Sequence, residues 1–397
     1  MQASIGRGVR RLTALPSAPN VAHMAGAVEV ELVENRADNS AFIGLPYHLY
    51  RADACWVPPL RMAERQRWSP QRNASLKTRW VRRFLARRAG HVVGRVAAVV
   101  DREFADRWKP GAGFFGFFES VDDGEVSAAL LSAAEAVLKQ QGVGTVLGPV
   151  NLSTQDEVGL LIDGFDRPPT LLSPYNPPWY RRLIEAAGFQ PCRDYHAYRW
   201  TPDLPPAAAV GSVAGEGAGV PAGLVLRTAD PRRWADEVRM LHGLYNASFA
   251  GVWGFVPITW DEFSERAESF KPFYRPELVV IAEAGGVPAG FGLVLPDVNE
   301  ALRGLGGRLL PFGWLRLMRR VPRIRSVRFI LLGVHPAQTG HGIAARIALR
   351  MIEEGRKAGL REGELSLVLD DNVRMRRIIE GFGFPRTKTF RLYEKSL

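Results

Sequence analysis

Between Phe329 and Ile352 the chain reads FILLGVHPAQTGHGIAARIALRMI, a stretch able to hold a phosphate group. Phe329 to Val334 reads as a buried strand. His335-Pro336 breaks it, because proline has no N–H to give to a ladder. Gln338-Thr339-Gly340-His341-Gly342 makes a turn, and from Ile343 the spacing predicts a helix. Its apolar stripe is Ile343, Ile347, Ala348, Met351 and Ile352. The first N–H groups of a helix lack internal partners, and the dipole makes that end partly positive. Glycines at 340 and 342 let an anion approach the backbone, so a pyrophosphate is a natural guest. Position 345 is alanine, so G-x-G-x-x-G is not met, and no Walker lysine follows. Nicotinamide and nucleoside-triphosphate chemistry are both disfavoured. The histidines show no metal-ligand spacing and only two cysteines occur, Cys55 and Cys192, so no metal is expected.

The elements that must position this turn belong to a chain of 397 residues, long enough for two domains or three. With 46% apolar and 23% charged residues it is globular, and no apolar run is long enough to cross a bilayer. The sparse cysteines point to a reducing, cytoplasmic compartment. A loose basic tail is expected over 1–27, and a Pro/Ala/Gly-rich linker over 201–223. These leave an N-terminal lobe, 28–200, and a C-terminal lobe, 224–397. Each lobe reads as a strand, a helical region, two strands around a tight turn, a further strand, an amphipathic helix and another strand. A helix stop with Gly-Phe follows (Gly188-Phe189; Gly383-Phe384), then a closing aromatic-bearing strand. That alternation predicts an α/β (α+β) protein of two similar units with mixed sheets flanked by helices.

The net charge of +11 is concentrated. Segment 301–328 holds eight arginines and no acid, interleaved with Leu309, Leu310, Phe312, Trp314, Leu315, Leu317 and Met318. Such a segment is either a solvated face or an interfacial element drawn to anionic lipid. A second basic stretch runs from Arg61 to Arg95, with Glu64 its only acid. Nucleic acid ranks lower as a partner, since no nucleic-acid-binding signature is present.

Gln338-Thr339-Gly340-His341-Gly342-Ile343-Ala344 resembles the Q/R-x-x-G-x-G/A turn of the GNAT superfamily of acyl-CoA-dependent N-acyltransferases. The strand Leu365–Leu369, Asp370-Asp371-Asn372 and Gly383-Phe384 are similar to the family's downstream pieces. The whole chain resembles bacterial tandem-lobe GNAT proteins, through Phe114-Phe115-Gly116-Phe117-Phe118-Glu119, Leu147-Gly148-Pro149-Val150-Asn151, Ser173-Pro174-Tyr175-Asn176-Pro177-Pro178 and Glu364-Leu365-Ser366. That group has been linked to N-acylation of long-chain amino-alcohols, as in ceramide-type lipids.

The resemblance implies that N–H groups of Gln338, Thr339, Gly340, His341, Gly342, Ile343 and Ala344 hold the pyrophosphate of acyl-CoA. Strand end Leu332-Gly333-Val334 would splay from its neighbour, and the Val334 N–H would polarise the thioester carbonyl. Asn372 would bond the pantetheine arm, or serve only as a helix N-cap. The family's usual acid, a tyrosine four residues before Gly-Phe, is Ile379 here. The candidates to replace it are Asp370, His335 and Tyr393. Asp370 comes first, as the base, because it follows an apolar strand whose burial would strengthen it. In the N-terminal lobe the corresponding turn, Val121-Asp122-Asp123-Gly124-Glu125, is acidic and would repel a pyrophosphate. That lobe is expected to serve the acceptor instead, through Asn151–Gly164 and the aromatic turn Tyr175–Tyr180. A packed interface turn is the alternative for the latter.

The expected protein is therefore an N-acyltransferase moving an acyl group from acyl-CoA to an amine. Segment 301–328 would make peripheral contact with an anionic membrane at its inner face. The competing readings are a soluble acetyltransferase acting on a small amine or a protein, and a non-catalytic CoA-binding scaffold.

Overall fold

The computed structural model describes residues 26–204, 219, 221 and 223–397. Most of the expected tail and linker lie outside the described residues. The chain forms strands β1 (Val28–Leu32), β2 (Trp80–Arg88), β3 (His91–Val100), β4 (Ala112–Ser120) and β5 (Thr145–Gly148). Short strands β6 (Val150–Asn151), β7 (Glu157–Val158) and β8 (Leu160–Asp163) follow, then β9 (Gln190–Trp200). The second half supplies β10 (Leu224–Thr228), β11 (Val279–Ala284), β12 (Val287–Pro296), β13 (Ser326–Val334), β14 (Glu362–Leu369) and β15 (Arg386–Ser396).

These strands make one continuous 13-stranded sheet in the order β1-β2-β3-β4-β5-β15-β9-β14-β13-β12-β11-β10, with β8 beside β15. Each half builds five strands in sequence order, antiparallel except for a parallel last pair, β4–β5 and β13–β14. The sequence order suggests that each lobe closes with its own aromatic strand. The structure exchanges them. β9, from the first half, pairs with β14, and β15, from the end of the chain, pairs with β5. The two exchanged strands pair with each other at the centre.

Helices cover both faces. In the second half, helix Ile343–Lys357 lays Ile343, Ile347 and Met351 on the sheet. The strand beneath is thinned to receive it: a Cβ at Gly292 would sit 2.2 Å from the Met351 sulfur, and one at Gly290 would sit 3.0 Å from Ile347. The first half repeats the device. Helix Gly124–Gln140 packs Val126 and Leu130 over Gly94, where a Cβ would lie 2.6 Å from Leu130, and Leu138 over Gly113.

The second basic stretch is divided: Arg65, Arg72, Lys77 and Arg82 are exposed, while three of its arginines are internal. Arg79 is buried between Asp101 and Glu262, at 2.8 and 2.7 Å. Arg88 is buried and reaches Asp123 and Glu125, and Arg95 donates to the Phe42 carbonyl at 2.7 Å. Arg328 likewise leaves the exposed set of 301–328: it is buried, donating to the carbonyls of Leu171 and Ser366. The rest of that segment joins β12 to β13. Leu302 and Leu305 anchor it on Val57, while Leu310, Phe312, Trp314 and Met318 stand exposed among exposed arginines.

Candidate functional site at the parting of two strands

β13 and β14 pair only from Ser326↔Glu362 to Phe329↔Leu365. Both continue beyond that point without pairing, β13 to Val334 and β14 to Leu369, so a fork opens between them. On its other edge β13 stays bound to β12, with a register shift between Leu293 and Val294. The His335 N–H donates to the Ala289 carbonyl at 2.8 Å. In an antiparallel ladder alternate residues face opposite edges, so the N–H groups of Val334 and Leu332 point into the fork. The fork holds a cavity of about 150 Å³, lined by Leu332, Leu365, Ser366, Asn372, Ile379 and Phe384 among others. Val334 lies outside that lining.

Beyond Val334 the chain makes one 3₁₀ turn, Pro336–Gln338, and enters helix Ile343–Lys357. Gly340 and Gly342 adopt φ of +91° and +67°, where residues with a Cβ are strained. Gly342 is the helix N-cap residue and gives the helix no side-chain cap. A Cβ at Gly340 would meet no atom within 4 Å, so the turn is open. His341 Nδ1 lies 3.1 Å from the Gly219 carbonyl, and Thr339 donates to the Pro336 carbonyl at 2.9 Å. The pyrophosphate candidates Gln338 to Ala344 are thus gathered on one turn above the fork.

The catalytic candidates scatter. His335 caps the 3₁₀ turn, its Nδ1 accepting from the Ala337 N–H at 3.3 Å. Asp370 is 58% exposed rather than buried, held by His196 and Arg376 at 3.0 Å each. It lines neither the fork cavity nor its larger neighbour. Tyr393 is not in the cleft at all. It sits on the exchanged β15, fully buried in the first half, and donates to Glu185 at 3.1 Å. Burial first, then the Glu185 charge, push its phenol well above the usual range. Asn372 lines the fork and caps helix Val373–Gly381, its Oδ1 accepting from the Met375 N–H at 3.2 Å. Ile379 is 1% exposed and packs with Phe382 and Phe384.

A second, larger cavity of about 380 Å³ meets β13 at Ile330 and Leu331, which line both spaces. Its long wall is apolar, built from helices Trp234–Phe249 and Trp260–Phe270 and from Phe291 and Leu293. Most of its polar lining comes from the first half, Arg67, Asn73, Asn151, Gln155, Asp156 and Glu157, with Glu237, Arg266 and Ser269 added by the two helices. Of the expected segment Asn151–Gly164, Asn151, Leu152 and Gln155–Glu157 line this cavity and the remainder does not. The aromatic turn Tyr175–Tyr180 does not line it. Tyr175 donates to Asp53 and Tyr180 to Glu119, at 2.7 and 2.8 Å, so that turn holds the fold together.

Sequence reasoning missed the buried polar knot beside the fork. Glu364 accepts from Lys388 at 2.7 Å, Thr170 at 2.6 Å and Ser366 at 2.8 Å. Burial works to raise the Glu364 carboxyl, but Lys388, Thr170 and the Arg328 charge outweigh it and hold it below its ordinary range. Asp297, accepting from the Leu171 N–H at 2.8 Å, is raised to about 6, chiefly by burial. The quoted phrases Ser173–Pro178 and Glu364–Ser366 were the only signal for this knot; they meet here, the Ser173 hydroxyl lying 3.2 Å from Glu364. Among the described residues no cluster of His, Cys, Asp or Glu is arranged to hold a metal ion.

A five-stranded unit with a parallel last pair, built twice in one chain and in its second copy forking beside a bare helix N-terminus, defines a tandem GNAT-type fold. Solved structures share it. A tandem GNAT protein from the clavulanic acid biosynthesis pathway superposes with a TM-score of 0.54 at 15% identity, over 93% of this chain and 98% of that one. A GCN5-related N-acetyltransferase from Sphaerobacter thermophilus gives 0.50 at 16% identity, over 93% and 95%. No family model matches the chain. Two proteins are much nearer in sequence. Protein YghO of Escherichia coli (strain K12) is 35% identical over 371 residues, 91% of this chain and 94% of that protein. The bacterial ceramide synthase of Caulobacter vibrioides is 35% identical over 375 residues, 92% and 96%. The chain belongs to the family of these two bacterial proteins, and its fold is the tandem GNAT fold of the solved structures.

Proposed function

We propose that this protein transfers an acyl group from acyl-CoA to a long-chain amine, an amino-alcohol of the kind that yields ceramide-type lipids. The observation that carries the reading is the fork between β13 and β14, set directly beneath the uncapped helix at Gly342. N–H groups from Gln338 to Ala344 would hold the donor's pyrophosphate. The N–H groups of Leu332 and Val334, aimed into the fork, would bind the pantetheine arm and the thioester oxygen. A donor aimed where charge develops is typically worth about 10²–10³ in rate. The larger apolar cavity fits an aliphatic chain, with its polar wall at the amine end. The Caulobacter relative's name agrees with such an acceptor.

The exposed Leu310, Phe312, Trp314 and Met318, set among arginines, would rest on an anionic membrane at the cytoplasmic face and give access to lipid substrates. The test is thiol release from acetyl-CoA and palmitoyl-CoA with a saturated long-chain amino-alcohol, using wild type and Gly340→Glu. A long-chain preference abolished by Gly340→Glu supports the reading, with Gly340→Asn controlling for the strained backbone. Preference for acetyl-CoA and a small amine would favour the soluble acetyltransferase; CoA binding with no transfer would favour a scaffold.

A further inference from the structure

An amine that arrives protonated must lose a proton before its nitrogen can attack a thioester, and neither cavity contains a histidine. Three acids line the larger cavity: Asp156, Glu157 and Glu237. Asp156 is fully engaged, one oxygen with Arg266 at 2.9 Å and the other with the Ser153 hydroxyl at 2.7 Å. Glu237 pairs through Oε1 with Arg227 at 2.7 Å and leaves Oε2 buried without a partner, but it lies in the first turn of helix Trp234–Phe249. It precedes Ser248, which abuts Gly333 on β13, by enough residues to stand roughly 16 Å away at 1.5 Å of rise per residue. Glu157 remains. Its Oε2 accepts from Asn151 at 2.7 Å, while its Oε1 has only a long 3.4 Å contact to Arg67. It shares its cavity with Ile330 and Leu331 at the fork.

Both halves hold Glu157 in place. It stands opposite Asn151 in the β6–β7 hairpin, and the Asn151 Oδ1 accepts from the Phe117 N–H at 2.6 Å. The hairpin can approach because residue 116 is glycine; a Cβ there would lie 1.9 Å from the Val150 carbonyl oxygen. On the far side Thr154 and Gln155 donate to the carbonyls of Gly254 and Val256 in the second half. A cavity-lining carboxylate so fixed, with one oxygen only loosely held, is placed to take a proton.

We propose that Glu157, supplied by the half that lacks the pyrophosphate turn, is the general base of the transfer. This rests on the acyltransfer reading above. The acceptor ammonium gives one proton to Glu157, and the freed nitrogen attacks the thioester carbon. The C–N bond forms and the C–S bond breaks; the second nitrogen proton goes to the departing thiolate. Glu157 then returns its proton to water, so the net products are amide, free thiol and one proton.

The experiment measures thiol release by wild type, Glu157→Gln and Glu157→Asp with palmitoyl-CoA and two acceptors. One acceptor is a saturated long-chain amino-alcohol; the other is a long-chain O-alkylhydroxylamine, whose nitrogen is already neutral at pH 7. Glu157→Gln is expected to lower kcat about 10²-fold or more with the amino-alcohol, leaving KM for palmitoyl-CoA unchanged. The loss should shrink with the hydroxylamine, and Glu157→Asp should recover part of it. Full activity of Glu157→Gln with the amino-alcohol, or an equal loss with both acceptors, overturns the assignment while the acyltransfer reading stands. A wild type inactive with both acceptors overturns the two together.

Discussion

Asp123 and Gly342 occupy the same place in the two halves: each is the N-cap residue of the helix that follows the fourth strand of its half. Asp123 turns its carboxylate onto the N–H groups of Glu125 and Val126, at 2.8 and 3.2 Å, and is itself held by Arg88. Gly342 offers no side chain, so the helix behind it has no side-chain cap for its first N–H groups. One half has filled its anion site with its own side chain and the other has left it bare.

The charge at this position can be transplanted. Gly342→Asp should weaken CoA binding at least tenfold, while Gly342→Asn, with the same backbone strain and no charge, should weaken it less. Calorimetric titration with CoA measures both. Equal losses would mean that strain, not charge, is responsible.

Gly116→Ala should damage the fold and the rate together. The added methyl meets a backbone carbonyl, which cannot rotate away as a side chain could. Overpacking of this kind costs about 1–3 kcal/mol. Because the displaced hairpin carries Glu157, kcat should fall further than the loss of folded protein explains. Urea unfolding set beside steady-state rates tests this.

Asp297 is a source of pH dependence. Its folded value, about 6, lies above the ordinary 3.8, so the folded state binds the proton more tightly than the unfolded chain. For this group stability is greatest below 3.8 and is lost as pH rises through 6, by about 3 kcal/mol at 1.36 kcal/mol per unit. Asp297→Asn keeps the acceptor oxygen and removes the charge. It should be more stable than wild type at pH 8, with the difference closing towards pH 4. Urea unfolding across that range would show it, and a constant difference would contradict it.

Membrane contact should depend on exposed residues alone. Replacing Arg316, Arg319 and Arg323 with glutamine, or Trp314 with alanine, should release the protein from vesicles rich in anionic lipid, with no change in melting temperature. Arg320 is left intact, because it donates to the carbonyls of Ala301 and Arg303 and holds the segment's shape. Unchanged co-sedimentation of these variants would remove the membrane from the picture.

The turn at 338–344 was legible because strand, glycines and helix are neighbours in sequence. So was the alternation of elements that makes each half. What could not be read was set by residues far apart in the chain. The buried fate of Arg79, Arg88 and Arg95 depends on acids and carbonyls from other elements, so a basic run looked like a surface. Tyr393 seemed near the fork because β15 follows the second half in sequence, whereas its partner strand β5 belongs to the first. The phrases around Gly116 and Glu364 were visible as words. Their purpose needed the Val150 carbonyl and the Lys388 ammonium brought beside them.

The strand exchange makes the first half depend on residues synthesised after the other strands of the second half. β5 cannot gain its neighbour β15 until translation has reached Ser396, so the first half leaves the ribosome with that side of its sheet open. Cutting within 201–223 and expressing the pieces separately would give two incomplete sheets, each lacking the strand the other carries. The two halves must therefore mature together, as one cooperative unit, although the sequence divides them so plainly.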